Sequence, residues 1–193
     1  MFFKKPDFNF FTGTTSYIIH PKKDNLIKNV KYLSKRVDVV QLLYFSKDYL
    51  YEVMNDMILE TLKDIKNTTG LEYIVHLPLD LDLLNSENPT KNLNTIFEII
   101  NKTTIIKPIN YILHIDRNTD FKYKEVLLDK ENYNTFNDVL ILLKDYNDKI
   151  IIENTSYDLT YFKELIIKYD FKVCMDIGHI LLLKNDYRKF VET

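Results

Sequence analysis

Glycine is scarce in this chain: Gly13, Gly70 and Gly178 are the only three in 193 residues. A dinucleotide-binding fold wants a glycine-rich phosphate loop directly after a strand, and three glycines this far apart exclude it. Cysteine is scarcer still. The single thiol, Cys174, rules out an internal disulfide and fits a reducing compartment, so the protein is expected to be soluble and cytoplasmic. A dominant charge is missing too: 26 Lys and Arg stand against 28 Asp and Glu, and the net −2 gives neither nucleic acid nor a membrane surface an overall field. Long apolar runs are lacking as well. The Phe-rich N-terminus is broken by Lys4, Lys5, Pro6, Asp7 and Asn9, so neither a signal-peptide core nor a membrane span is expected.

What is present is a 46% hydrophobic chain, long enough for one core, and residues 1–193 are expected to form a single domain. Strand-like and helix-like stretches alternate six times. The first strand, Phe10 to Ser16, opens into the Gly13-Thr14-Thr15-Ser16 turn, and Asp24 reads as the cap of a helix with Leu26, Ile27, Val30 and Leu33 on one face. Val37–Leu43 is the second strand and Tyr49–Ile65 the second helix, with Gly70 as the residue that ends the unit. Leu71–His76 follows as the third strand. Asn88 reads as an N-cap and Pro89 as a first-turn residue of a helix with Leu93, Ile96, Phe97 and Ile100 inward. The fourth strand ends at His114, and a polar loop through Asp116, Arg117 and Asp120 leads to a helix ending near Tyr146. Lys149–Glu153, Tyr161–Tyr169 and Phe171–Asp176 complete the fifth strand, its helix and the sixth strand, with a last helical segment from about Ile180.

These strands are near-continuous apolar runs, the pattern of parallel strands covered on both faces. Four of them stop at a side chain that can hold a metal: His76, His114, Glu153, and Asp176 with His179 three residues on. A (β/α)8 barrel gathers the C-terminal ends of many strands at one mouth, which makes such residues neighbours. The expected fold is therefore α/β, a (β/α)8 TIM barrel. Six units use all 193 residues where a barrel typically needs about 250, so the chain is expected to stop after the sixth βα unit. Three imidazoles and two carboxylates make a mixed N/O set suited to a divalent metal, zinc or manganese. Asn154, Thr14 and Thr15 stand at neighbouring strand ends, where they either donate hydrogen bonds to substrate or satisfy turn backbone. Cys174 is read as a small buried hydrophobe rather than a nucleophile.

The order His, His, Glu-Asn, Asp-x-x-His on successive strands resembles the xylose isomerase-like barrel superfamily, which includes sugar-phosphate isomerases/epimerases and the apurinic endonuclease type. Within it, Gly13-Thr14-Thr15-Ser16, the Val-Gln-Leu-Leu second strand, His76-Leu77-Pro78-Leu79-Asp80-Leu81 and Asp176-Ile177-Gly178-His179 are most similar to the cobamide-remodelling phosphodiesterases. That resemblance implies a metal-dependent hydrolase cutting the nucleotide-loop phosphodiester of a corrinoid. It implies one metal on His76, His114 and Glu153, a second bridged by Glu153 and held by Asp176, and a third served by His179, with Glu153 also the catalytic residue. Such a hydrolase would use a metal-activated water.

Two other readings stand beside it. A sugar phosphate isomerase or epimerase would use the same metal site to polarise a carbonyl, with a carboxylate as base and a second Glu on the eighth strand. An inactive barrel remnant would expose an open sheet edge and self-associate through it. Either enzyme takes a small-molecule substrate, corrinoid or sugar phosphate. A DNA-repair role is disfavoured by the net charge of −2.

Overall fold

The computed structural model describes residues 9–19, 23–44, 46, 49, 53–84, 89–116, 118–119, 122–123, 128–155 and 157–182. The main elements in chain order are β1 (Gly13–Thr15), α1 (Lys23–Leu33), β2 (Val39–Leu43), α2 (Asp56–Thr69), β3 (Glu72–His76), α3 (Pro89–Thr103), β4 (Tyr111–Leu113), β5 (Asn118–Thr119), β6 (Lys122–Tyr123), α4 (Lys130–Leu143), β7 (Ile150–Glu153), α5 (Lys163–Lys168), β8 (Lys172–Cys174) and α6 (Ile177–Leu182). Six strands form one sheet in the order β1-β2-β3-β4-β7-β8, while β5 and β6 make a separate antiparallel pair. Pairing is parallel in β1–β2, β2–β3 and β7–β8. A parallel sheet in sequential order with helices alternating between its strands is the (β/α) barrel type of fold.

The chain divides into two compact units: residues 1–78 with 97–111, and residues 79–96 with 112–193. In the first, β2 and β3 run in register from Val39 opposite Glu72 to Leu43 opposite His76. Helix α2 starts where Asn55 caps it, the side-chain oxygen accepting from Ile58 N at 3.0 Å. It buries Ile58, Leu59, Leu62 and Ile65 and ends at Gly70, whose φ of 73° only glycine adopts without strain. Two buried tyrosines satisfy their hydroxyls locally: Tyr73 donates to Leu62 O at 2.8 Å, and Tyr111 pairs with Thr103 Oγ1 at 2.8 Å.

In the second unit the core is aromatic. Phe136 of α4 stacks on Phe162 at 4.0 Å, and Tyr157 meets the same ring edge-on. Asp129 caps α4 through Asn132 N at 2.9 Å. The β7–β8 pair sets Ile151, Ile152 and Glu153 opposite Lys172, Val173 and Cys174. β8 is the last strand in the sheet order and leaves Val173 exposed, with Met175 and Ile177 exposed just beyond it.

Several elements differ from sequence expectation. Tyr49 and Val53 are helical as expected, but the run breaks at Met54 and Asn55, and α2 starts afresh at Asp56 under the Asn55 cap. Helix α1 already includes Asp24 rather than starting after it. Helix α6 begins at Ile177, so Gly178 lies in a helix and is not a turn glycine. The loop after β4 carries the short β5–β6 pair, which no sequence pattern announced. Asn88, Arg117 and Asp120 lie outside the described residues.

Candidate metal centre

The centre is built where β4, β7 and β8 end. Ile150 and Ile152 are fully buried on one face of β7, while Glu153 shares the other face with Ile151 and is 5% exposed. Period-two alternation thus sets the carboxylate at the strand's last residue on the face opposite the Ile150–Ile152 packing. Asn154 follows and ties the two tips together: its Oδ1 accepts from Asp176 N at 2.6 Å, and its Nδ2 donates to Asp176 O at 3.1 Å. The amide is thereby taken up at both ends by turn backbone, one of the two roles the sequence allowed it.

Asp176 is the N-cap of α6. Its Oδ1 accepts from His179 N, the third helical residue, at 3.0 Å. That bond explains the Asp-x-x-His spacing, since a cap and its N3 residue lie on the same side of the helix start. It also explains Gly178. A Cβ there would stand 2.9 Å from Asp176 Oδ1, so the glycine is required by the close approach of the carboxylate and not by a positive φ.

The side chains converge. His114 Nε2 lies 3.2 Å from Glu153 Oε2, while His179 Nδ1 lies 3.8 Å from both Glu153 Oε1 and Asp176 Oδ2. The His114 and His179 rings meet edge to face with centroids 5.7 Å apart. Glu153, Asp176 and His179 offer ligand atoms all within 4.8 Å of one another. His179 Nδ1 donates to Asn154 O at 2.7 Å, which places its proton on Nδ1 and leaves the Nε2 lone pair for an electrophile.

The donor set fits a divalent ion. Two ligands of one tetrahedral zinc stand about 3.3 Å apart, close to the His114–Glu153 separation. Zinc and manganese both accept this N/O mixture.

Asp116, only a loop residue in the sequence, is 2% exposed and lies 3.9 Å from His114 Nδ1. Burial pushes its carboxyl up to about 7, nearby Asp82 adds to the rise, and His179 opposes it. Tyr157, fully buried, donates its hydroxyl to Ile115 O beside it. Cys174 is half-buried, not the buried hydrophobe expected, and its thiol is pushed up to about 11 by burial and by the carboxylates of Glu153 and Asp176, which disfavours the thiolate.

The remaining sequence candidates belong to the first unit. His76 ends β3, 7% exposed, and its Nδ1 donates to Leu77 O at 2.8 Å, which again places the proton on Nδ1 and the lone pair on Nε2. Thr14 and Thr15 are the last two residues of β1, Thr14 exposed and Thr15 half-buried.

A parallel (β/α) barrel-type sheet with ionisable side chains at its strand ends defines the class, and solved structures share the fold. The 3-keto-D-glucoside 4-epimerase YcjR from E. coli superimposes with a TM-score of 0.65 at 15% identity, covering 93% of this chain and 73% of that one. A D-tagatose 3-epimerase-like protein gives 0.66 at 17% identity, covering 93% and 69%. A xylose isomerase domain protein from Planctomyces limnophilus gives 0.60 at 11% identity, with the same 93% and 69%. Neither a protein-family model nor a curated protein matches the sequence. The similar structures are thus xylose isomerase-like barrels named as sugar epimerases and isomerases, and the cobamide phosphodiesterase reading gains no support from them.

Proposed function

We propose that this chain carries the metal centre of a sugar isomerase or epimerase of the xylose isomerase-like barrel type, acting on a small keto sugar or its phosphate. One observation carries the reading: His114, Glu153, Asp176 and His179, drawn from three strand ends, meet within a few ångströms. The names of similarly folded enzymes point the same way. His76, at the end of β3, is proposed as a further ligand through its Nε2, and the two units are proposed to act as one domain.

A divalent ion, zinc or manganese, held by these residues would polarise a substrate carbonyl and its neighbouring hydroxyl. The chain does the rest. His179 and His76 keep their protons on Nδ1, held by backbone carbonyls, so their Nε2 atoms present lone pairs. Glu153, buried against His114, is proposed to take the proton from the carbon beside the carbonyl and return it. Thr14 and Thr15 are proposed to contact the sugar hydroxyls, whereas the Asn154 amide braces the tips of β7 and β8. Among the described residues no helix is long and apolar enough to cross a membrane. The net charge of −2 and the single thiol support a cytoplasmic protein without nucleic-acid partners. The exposed edge at β8 is proposed as a surface for self-association.

The test is solvent exchange. Zinc- or manganese-loaded protein incubated with a panel of keto sugars and their phosphates in D2O should place deuterium at the carbon next to the carbonyl. Hydrolysis of bis(p-nitrophenyl) phosphate without any such exchange would instead return the reading to a phosphodiesterase.

A further inference from the structure

Two of the candidate imidazoles donate a hydrogen bond from Nδ1 to a backbone carbonyl. For His76 the acceptor is the Leu77 carbonyl, and for His179 it is the Asn154 carbonyl. For His114 the group facing Nδ1 is the carboxylate of Asp116, Oδ2 at 3.9 Å, while Nε2 on the opposite side of the ring faces Glu153 at 3.2 Å. All three residues are at most 5% exposed.

Asp116 has nothing else to do with that oxygen. Oδ2 has no hydrogen-bond partner among the described residues, a costly state for a carboxylate buried to 2% exposure. Its backbone is pinned on the other side, where its carbonyl accepts from Leu84 N at 3.1 Å. Tyr157 holds the preceding carbonyl, that of Ile115. The peptide between His114 and Asp116 is therefore fixed from two directions, and the carboxylate is kept beneath the ring. At 3.9 Å the pair is a charge contact, about 1 Å longer than an N–H···O bond.

We propose that Asp116 is a positioning residue: its carboxylate holds the Nδ1 proton of His114, fixing the tautomer whose Nε2 lone pair faces Glu153 and the metal position. A carboxylate behind a ligand imidazole raises its basicity more than a carbonyl does, so His114 becomes the strongest imidazole donor of the set. Its effect on metal rests on the metal-centre reading above, whereas its effect on the His114 tautomer does not.

Asp116→Asn keeps the shape and removes the charge. Two readings are taken on wild type and variant: zinc affinity by competition with a chromophoric chelator, and the His114 tautomer in metal-free protein at pH 8 by long-range 1H–15N correlation. Loss of an outer partner typically costs 10–100-fold in metal affinity, and that loss is expected here, about tenfold for Asn and more for Asp116→Ala. Wild-type His114 should be the Nδ1–H tautomer, and the variant should shift towards Nε2–H while keeping a cooperative melt no lower than wild type. Equal zinc affinity in all three proteins overturns the role in metal binding. Wild-type protein that takes no zinc overturns the metal-centre reading; the tautomer then decides the inference alone, sustained if it shifts in Asp116→Asn and overturned if it does not.

Discussion

The two compact units use similar strands and helices for different ends. In the first, Tyr73 bonds to the Leu62 carbonyl and Tyr111 to Thr103, while the buried atoms unmatched among the described residues, the Tyr44 hydroxyl and Asn29 Oδ1, are neutral groups. In the second, Glu153, Asp176 and Asp116 are gathered around two imidazoles, and Oδ2 of the buried Asp116 has no hydrogen bond among the described residues. A core that only had to be stable would not collect carboxylates in this way, since each costs desolvation energy and repels the next. On the proposed reading the difference is one of purpose: apart from His76 the first unit is organised for packing, while the second would accept that cost in order to hold a cation.

Substitutions should therefore separate the two. The largest effect is expected from Glu153→Ala in the second unit, which should abolish the zinc-induced rise in melting temperature. Its metal-free form should melt no lower than wild type, because a buried negative charge has been removed. A destabilised apo protein that still responds to zinc would break the comparison. Next comes Leu62→Ala in the first unit, where a fully buried side chain is lost: about 2–5 kcal/mol in denaturant unfolding is expected, with zinc bound per folded chain unchanged.

Third is Cys174. With its thiol at about 11, iodoacetamide at pH 8 should react about a hundredfold more slowly than with an ordinary thiol, and the rate should climb about tenfold per pH unit until pH approaches 11. Fast alkylation at pH 8 would mean that neither burial nor the charges of Glu153 and Asp176 hold the thiol protonated. The smallest effect belongs to Asn55→Ala, which removes the α2 cap and should cost about 1 kcal/mol without any change in zinc affinity.

Much of this was legible in the sequence because the signals were local. Apolar runs ending at His76, Glu153 and near Asp176 marked strand tips, and Gly70 marked the end of α2 through a backbone angle only glycine tolerates. The Asp176–His179 pairing was also visible, although its cause is an N-cap bond and not a tight turn. Asp116 was not legible as a site residue. A carboxylate in a stretch of Asp, Arg and Asn has the composition of a solvated loop, and its burial depends on Leu84 and Tyr157, far away in sequence. Its position two residues after a strand-end histidine was the one clue. The break before α2 was missed for a different reason: helical periodicity runs on from Tyr49, and periodicity alone says nothing about where a polar residue such as Asn55 will interrupt and cap.

The central claim is that the strand ends of the second unit hold a divalent metal through nitrogen and oxygen. X-ray absorption spectroscopy on zinc-loaded protein tests it directly. The account predicts one tightly bound zinc with an N/O shell at about 2.0–2.1 Å and the outer scattering of imidazole. No tightly held zinc, or a sulfur neighbour at about 2.3 Å contributed by Cys174, would contradict it.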